Sequence, residues 1–411
     1  MNLGTYLIDR RPLRIPAFRR LWTASAVTAV GGSFSLVAVP TQLFTLTGSS
    51  AAVGASAAIS LGTLVVSALW SGVLADTTDR RRLLLAGNAG LGIAYLGLWG
   101  NTALDSVPVL LVLVGVHGLC FGATLTTSGA VVPRVVPAEQ LVAANSLSAL
   151  ARYTGAVVGP LLAGALIPSV GLGTLYLLDA VALGTVLRAV AALPALPPAA
   201  GAPAPHDVLR RLGEGFRYLA GERLLVGILA VDLAAMVFAM PVALYPELAE
   251  HVHGGPAGGG TELGLLFAAY PTGVLLTGLL SGRLSRTRRH GALLASAAIA
   301  WGVCVVLLGL AADLWLALAA LAAGGAVNFV LSTCRNAISQ AHTDDALRGR
   351  IQGALTVVLM GGPQLANVVH GFAAAGLGAR PAIGVGGLLT VLTVVLLLRT
   401  LPELWRYDAA R

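Results

Sequence analysis

The hydrophobic residues of this chain fall into long, uninterrupted runs that are separated by short polar stretches. Runs of at least about 18 apolar residues are long enough to cross the hydrocarbon core of a bilayer as helices. About twelve such runs are present in the sequence. They cover residues 21–46, 50–75, 82–101, 107–132, 141–167, 171–193, 224–249, 262–284, 291–311, 314–341, 349–374 and 380–399. The pattern therefore predicts an all-α integral membrane protein with twelve transmembrane helices.

The longest polar connection, residues 194–223, divides these runs into two groups of six. It starts with a proline-rich segment, and its second half, 206–222, places apolar residues at helical spacing with arginines between them. This second half is typical of an amphipathic helix that lies on a membrane surface. We therefore expect an N-terminal six-helix bundle over 1–193, a cytoplasmic linker over 194–223, and a C-terminal six-helix bundle over 224–411.

The two halves resemble each other when the chain is shifted by 210 residues. This shift aligns Gly54 with Gly264, and it aligns the pair Ser71-Gly72 with the pair Ser281-Gly282. The repeat therefore predicts two related six-helix bundles in parallel arrangement.

Composition and charge support a protein embedded in lipid. Of the 411 residues, 56% are hydrophobic and only 11% are charged. The net charge of +8 comes from 26 basic residues, all arginine, which cluster in the loops after even-numbered runs. The loops after odd-numbered runs contain no arginine, apart from Arg380 near the last of these loops. By the positive-inside rule, we expect a multi-pass protein of the bacterial cytoplasmic membrane with both termini cytoplasmic and the first run retained.

A short charged hinge joins the second and third runs. Gly72 and Asp76 lie one helical turn apart, and Arg80 and Arg81 follow at the depth of the lipid headgroups. The glycine permits close approach of a neighbouring helix, and the carboxylate can accept hydrogen bonds from that helix's N-terminal amides. The pattern indicates either an ordinary cytoplasmic turn or a motif that controls conformational change.

This spacing resembles the loop between the second and third helices of the major facilitator superfamily. Thr77 and Asp79 depart from it, because the superfamily usually has a basic residue and a glycine there. The repeat copy keeps Gly282 and the basic end but has Arg286 in place of the carboxylate. The resemblance implies a twelve-helix transporter fold with a gating motif at Gly72, Asp76, Arg80, Arg81 and Gly282.

Small residues recur every four positions in the fifth run, at Gly155, Gly159 and Ala163, with Pro160 and Gly164 beside them. Such spacing lets helix backbones pack closely, and the proline bends the helix. The pattern resembles the superfamily's antiporter motif, which is typical of exporters that exchange substrate for protons. Simple helix packing is the alternative explanation.

Charged residues lie inside several apolar runs, among them Arg152, Asp179 and Asp232. A charge at the centre of a membrane helix costs at least about 2.5–3.5 kcal/mol unless it is paired or hydrated. Each residue could be a partner in a structural ion pair, or it could form part of a proton or substrate site.

A polar stripe at helical spacing crosses the tenth run, through Asn328, Ser332, Arg335 and Ser339. A stripe of this kind is expected to line a hydrated cavity because it would be costly against lipid.

Our hypothesis is that Asp179 or Asp232 takes up a coupling proton, while Arg152 and Arg335 attract an anionic substrate. The candidates for substrate or proton coupling are thus Arg152, Asp179, Asp232, Asn328 and Arg335. Weaker candidates are His117 and the set Gln364, Asn367 and His370.

Enzyme and cofactor signatures are missing from the sequence: there is no P-loop, no G-x-S-x-G, no H-E-x-x-H and no dinucleotide fingerprint. The pair His251 and His253 is too small a set for a metal site. We expect no enzymatic activity, no cofactor, no metal and no nucleic-acid partner. The expected partners are a small-molecule substrate, protons and the lipid bilayer, and the protein is expected to be monomeric.

Several segments resemble the enterobactin-exporting, or siderophore-exporting, family within the superfamily. They are Pro16-Ala17-Phe18-Arg19, Val37-Ala38-Val39-Pro40-Thr41-Gln42, Gly72-Val73-Leu74-Ala75-Asp76, Leu244-Tyr245-Pro246 and Gly349-Arg350-Ile351. Arg152 also falls on an arginine of that family, whereas Asp232 and Arg335 match none of its known residues. The resemblance covers nearly the whole chain. It implies export of an acidic iron chelator by proton antiport and alternating access.

Two alternatives remain open from the sequence. Related families export macrolides and other drugs, so a multidrug or macrolide efflux pump is the first. A non-transporting membrane sensor on the same scaffold is the second, and it would be expected to carry a soluble output domain.

Overall fold

The computed structural model describes residues 9–128, 135–194, 220–280, 289–342 and 348–408, together with 210, 213–214 and 217–218. For residues 68–69, 71–73, 75–77, 138 and 348–357 it describes the backbone only. All regular structure in these ranges is helical. The predicted all-α membrane fold is therefore confirmed, whereas most of the predicted amphipathic helix at 206–222 lies outside the described residues.

Eleven long helices follow one another along the described chain. They are α1 (Pro16–Thr47), α2 (Ser50–Thr77), α3 (Arg80–Asn101), α4 (Val107–Ser128), α5 (Leu141–Ala191), α6 (Arg223–Ala239), α7 (Thr261–Leu279), α8 (His290–Leu310), α9 (Leu314–Ala341), α10 (Arg348–Leu377) and α11 (Ala379–Thr400). A short helix, α12 (Pro402–Arg406), follows the last of them. Ten segments of the described chain are long and apolar enough to cross a membrane.

Helix α5 accounts for two of the predicted crossings. Its 51 residues would extend about 75 Å if straight, more than twice the thickness of a hydrocarbon core. The helical geometry is interrupted at Gly171, where φ is 75° and ψ is 167°. Counting α5 twice and adding the 30-residue helix α10 gives the twelve predicted crossings.

The internal repeat is visible in the helix boundaries. Helix α3 begins at Arg80 and α8 begins at His290, which are 210 residues apart, the shift found in the sequence. Helices α2 and α7 begin at Ser50 and Thr261, 211 residues apart. The two halves therefore place their helices at matching positions along the chain.

The chain divides into two compact units. The first comprises Met1–Val39 and Gly62–Pro205, and the second comprises Pro40–Leu61 and His206–Arg411. In the first, α3 packs between α4 and α5. In the second, α8 packs between α9 and α11, while α6 packs against α10 and α11. The division at 205–206 falls within the predicted linker, but the end of α1 and the start of α2 pack with the second unit.

The seventh predicted span, 224–249, is not one continuous helix. Helix α6 ends at Ala239, and a 3-10 turn (Val242–Leu244), a helical turn (Tyr245–Glu247) and a π-helical turn (Leu248–Val252) follow. Pro241 has no N–H to continue the helix, which is one cause of the break. Pro40, Pro271 and Pro363 lie inside continuous helices.

Candidate functional site

Asp179 is buried in the second half of α5, and its contacts lie on α1 within the first unit. The Ser35 N–H donates to Asp179 Oδ2 at 2.8 Å, and the Ser35 hydroxyl donates to the same oxygen. Asp179 Oδ1 is buried and has no hydrogen-bond partner among the described residues. An N–H in mid-helix ordinarily donates to the carbonyl four residues earlier, so this carboxyl group competes for the hydrogen-bond ladder of α1.

Glycines bring α1 and α5 close enough for this contact. A Cβ atom at Gly31 would lie 2.7 Å from Ala182 Cβ and 3.6 Å from Asp179 Oδ1. A Cβ at Gly159 would lie 2.8 Å from the Val30 carbonyl, and one at Gly155 would overlap the Ala29 backbone. The predicted antiporter-like motif therefore forms the tight helix crossing beside Asp179, and Pro160 and Gly164 are also buried in α5.

The second unit contains a buried ion pair between α6 and α9. Arg335 Nη1 donates to Asp232 Oδ1 at 2.7 Å, and the two side chains are 7% and 3% exposed. The guanidinium also donates to Asn336 Oδ1 through Nε at 3.3 Å and Nη2 at 3.2 Å. Asp232 Oδ2 has no hydrogen-bond partner among the described residues. Two predicted site residues thus neutralise each other.

The polar stripe on α9 contacts other helices of the same unit. Tyr270 of α7 donates its hydroxyl hydrogen to Asn328 Oδ1 at 2.9 Å. Ser332 donates to the Phe329 carbonyl of its own helix at 3.0 Å, and Ser339 is buried. The stripe is therefore engaged in helix contacts, and its predicted role in lining a hydrated cavity stays a prediction.

Arg152 differs from Asp179, Asp232 and Arg335 because it is exposed. Its guanidinium carbon lies 5.8 Å from the centre of the neighbouring Tyr153 ring. Among the five candidates it carries the positive charge that is accessible on the surface of its unit.

The charged hinge after α2 has a structural role in the described residues. Asp79 caps α3 by accepting the Arg81 N–H at 2.9 Å. The Arg81 guanidinium donates to the Ala191 carbonyl at the end of α5, so it satisfies a free helix-end group. Gly72 and Asp76 lie in the last turns of α2, where only the backbone is described. Arg80 is the first residue of α3, and Gly282 lies outside the described residues.

Arg380, the exception to the charge pattern, also binds a helix end. Its Nε donates to the Gly309 carbonyl at 3.2 Å and its Nη2 donates to the Leu310 carbonyl at 2.6 Å. These carbonyls belong to the end of α8, where they have no intrahelical partner. A helix-capping function therefore explains this arginine.

No group of three metal-ligating side chains occurs within the described ranges. His251 Nε2 lies 3.8 Å from Glu250 Oε1, and its ring meets Phe44 edge-on with centroids 5.5 Å apart. Burial lowers the pKa of His253 below its ordinary value, against the opposing effect of Asp313. These histidines have protein contacts of their own.

Several contacts at the candidate sites could not be predicted from the sequence. Ser35 in α1 looks like one of many small polar residues of a membrane helix, and nothing marks it as the partner of Asp179. Asn367 and His370 of α10 bind the break after α6, through Ala243 and Phe238. The sequence did contain a signal for the contacts of Asn367 and His370, because Pro241 leaves backbone groups that a neighbouring helix must satisfy.

Within the described residues all regular structure is helical, and the apolar spans, buried carboxylates and close helix crossing are features of polytopic membrane transport proteins. The family model described as "Transmembrane secretion effector" matches residues 9–410. The chain belongs to this family, within the major facilitator superfamily of transporters, as the sequence predicted. Members of the family are transporters and not enzymes, and the protein is a multi-pass membrane protein that takes a small-molecule substrate.

Curated relatives cover almost the whole chain. The enterobactin exporter EntS of Shigella boydii serotype 18 is 31% identical over 412 aligned positions, covering 99% of this chain and 97% of the relative. The same identity and coverage are found with the enterobactin exporter EntS of Escherichia coli strain SMS-3-5.

Solved transporter structures share the fold. The nucleoside transporter NupG, as a D323A mutant, matches with a TM-score of 0.77 at 13% identity, covering 93% of this chain and 99% of that chain. A bacterial homologue of the iron transporter ferroportin matches with a TM-score of 0.70 at 18% identity, covering 95% and 98%. At this identity the likeness establishes the fold alone.

Proposed function

We propose that this protein is a secondary active exporter that moves a siderophore, or a similar small amphiphilic molecule, out of the cytoplasm. The observation that carries the proposal is the 31% identity with enterobactin exporters over 99% of the chain. Transport proceeds by alternating access, coupled to entry of protons. The protein acts as a monomer in the bacterial cytoplasmic membrane, has both termini in the cytoplasm, and needs no cofactor.

Asp179 carries the coupling proton in this proposal. Its buried Oδ1 has no partner among the described residues, whereas Oδ2 accepts both the Ser35 N–H and the Ser35 hydroxyl. A proton on the free oxygen would remove the buried charge and weaken both bonds to Ser35. Because one of these bonds competes with the ladder of α1, proton binding would change the hydrogen bonding of a membrane-spanning helix.

Asp232 is the less suitable proton carrier for an antiporter. A proton on Asp232 would release the charge of Arg335 and thereby favour binding of an anion at Arg335. Linkage is reciprocal, so a bound anion would favour the proton equally, and the two would travel together. An antiporter requires the opposite coupling, in which binding of the substrate disfavours binding of the proton. We therefore assign Asp232 and Arg335 to a structural ion pair, and assign attraction of an acidic substrate to the exposed Arg152.

The proposal is tested in everted membrane vesicles, whose respiration acidifies the interior. Wild-type vesicles are expected to accumulate enterobactin when the interior is acidic, because protons leave in exchange for substrate. Asp179→Asn is expected to abolish accumulation driven by the pH gradient while it retains exchange of enterobactin across the membrane. The measurement is radiolabelled enterobactin uptake with and without a protonophore.

The control is Asp105→Asn, a substitution in the loop after α3, which is expected to leave uptake unchanged. Arg152→Gln is expected to raise the KM for enterobactin several-fold with little change in Vmax, because the arginine attracts an acidic substrate. Gradient-driven accumulation that is intact in Asp179→Asn would refute the proton assignment. Accumulation of erythromycin but not of enterobactin would establish the drug-efflux alternative instead.

A further inference from the structure

The break after α6 contains three kinds of helical turn in a short stretch. Met240 leaves helical geometry with φ −120° and ψ 75°, and Pro241 follows. The next residues form a 3-10 turn, a helical turn and a π-helical turn, which end at Val252. Isolated π-helical turns are frequent at functional sites in helices. The segment 240–252 therefore has a backbone that differs from the regular helix before it.

The break leaves backbone groups that α6 cannot satisfy by itself. In an unbroken helix the Phe238 carbonyl would accept the Val242 N–H, but this N–H donates to the Met240 carbonyl at 3.0 Å. The Ala243 N–H would likewise reach the Ala239 carbonyl in an unbroken helix. An unsatisfied group inside a bilayer is costly, so both sides of the break need partners from elsewhere.

Helix α10 supplies a partner on each side of the break. The His370 ring lies with Nε2 3.1 Å from the Phe238 carbonyl oxygen, and the Ala243 N–H donates to Asn367 Oδ1 at 3.0 Å. Residues three apart share one helix face, so a single face provides both a donor and an acceptor. A carbonyl oxygen accepts only, so His370 carries its proton on Nε2.

Close packing holds the imidazole at the break. A Cβ atom at Gly386 of α11 would overlap the Phe238 carbonyl oxygen and lie 2.6 Å from His370 Cε1. The preceding turn is held separately, since the Trp301 indole N–H donates to the Ala235 carbonyl at 3.1 Å. Both His370 and Trp301 are buried. The helix before the break is therefore fixed to its neighbours, and among the described side chains Asn367 and His370 join the break to α10.

We infer that Asn367 and His370 are positioning residues that hold the break after α6 as a hinge. The hinge separates the segment with Asp232 from the segment with Glu247, whose carboxylate accepts the Ser50 hydroxyl of α2. When the hinge moves, the segment with Glu247 changes its angle to α6 while the Asp232–Arg335 pair stays in place. The consequence for transport rests on the proposed export function, whereas the hinge itself does not.

Hydrogen exchange measured by mass spectrometry on the full-length protein in detergent tests the hinge directly. In His370→Leu, the amides of 242–247 are expected to exchange about tenfold faster, because the Phe238 carbonyl loses its partner. His370→Gln keeps an N–H donor and is expected to restore exchange close to wild type. His117→Leu is the control, since His117 is a half-buried histidine of α4 that contacts Tyr95 at 3.3 Å, far from the break in sequence.

Unchanged exchange at 242–247 in both His370→Leu and Asn367→Leu would overturn the inference. So would equal acceleration in His117→Leu, because the effect would then be general loosening. In vesicles, His370→Leu is expected to lower Vmax for enterobactin several-fold with unchanged KM, and His370→Gln to recover most of it. If wild type exports no enterobactin while the exchange result holds, the proposed function fails and the hinge stands.

Discussion

The ion pair between Asp232 and Arg335 lies in helices that cross the membrane, where an unpaired charge has no water to solvate it. Its side chains are 3% and 7% exposed, so each depends on the other for neutralisation. Breaking a buried pair by removing one partner costs about 3–5 kcal/mol, whereas replacing both partners is often neutral. The arrangement therefore matters most when one member is changed alone.

We expect Arg335→Leu to lower the thermal unfolding temperature in detergent markedly, because it leaves the Asp232 carboxylate buried and unpaired. The double variant Asp232→Leu with Arg335→Leu is expected to recover most of the loss of about 3–5 kcal/mol. Tryptophan fluorescence during heating measures both. A double variant that is less stable than either single variant would contradict the structural assignment of the pair.

Asp79 provides a second test at the level of one residue. Asp79→Ala removes the acceptor of the Arg81 N–H and is expected to destabilise the start of α3 by about 1 kcal/mol. Asp79→Asn retains a good capping side chain and is expected to be nearly neutral. Hydrogen exchange in the first turn of α3 distinguishes the two, and equal protection in both variants would contradict a capping role.

Some residue roles follow from the sequence and others do not. Asp179 and Asp232 are conspicuous because charges inside apolar runs are rare and costly, and this physical reason selects them. Their partners are not conspicuous: Ser35 is 144 positions from Asp179, and Arg335 is 103 positions from Asp232. Which helices approach each other is a property of the fold, so the pairings required the structure.

At the level of elements, the crossing of α1 and α5 depends on the absence of side-chain atoms. A Cβ atom at Gly155 would overlap the Ala29 backbone, which cannot move as a flexible side chain could. Small residues at four-residue spacing permit backbone contact between membrane helices. The sequence predicted this close packing, although it could not identify α1 as the partner helix.

We expect Gly155→Val to separate α1 from α5, to weaken the Ser35–Asp179 contact and to reduce enterobactin export more than tenfold. The matched control is Gly184→Ala on the same helix, where an added Cβ meets nothing within 4 Å. Export assays normalised to the amount of folded protein measure the difference. Equal activity in the two variants would show that the crossing is not needed for transport.

The break in α5 depends on one backbone conformation. Gly171 has φ 75° and ψ 167°, a region that residues with a Cβ rarely adopt. Gly171→Ala is therefore expected to destabilise the protein by about 1–3 kcal/mol, although open space surrounds the site. Thermal unfolding would detect this loss. The neighbouring Leu172→Ala serves as the control for a change in side chain alone.

The boundaries of elements were predictable where turn chemistry is strong and less so where packing decides. The break at Gly171 falls next to the predicted loop at 168–170. The end of α6 at Ala239 was not predicted, because Pro40, Pro271 and Pro363 show that proline alone does not end a membrane helix here. The additional cause is the pair of side chains from α10 that satisfies the break.

For the whole molecule, the arrangement of arginines predicts which loops face the cytoplasm. The prediction is tested by labelling single cysteines with a membrane-impermeant maleimide in intact cells, after Cys120, Cys304 and Cys334 are replaced. Cysteine at Ser49 or Gly258 is expected to be labelled from outside. Cysteine at Asp79 or His290 is expected to be protected until the cells are permeabilised. The reverse pattern would refute the proposed orientation and the direction of export with it.

The sharp turn at Gly171 has a consequence for biosynthesis. Two crossings joined by so short a connection leave almost no chain outside the bilayer between them, so they must enter from the translocon as one helical hairpin. An epitope tag inserted at 170–172 would place polar residues between the two crossings while they enter the bilayer together. The tag should therefore abolish accumulation of the protein. The same tag in the glycine-rich loop at 254–260 should be tolerated, which makes that loop the place to attach a reporter.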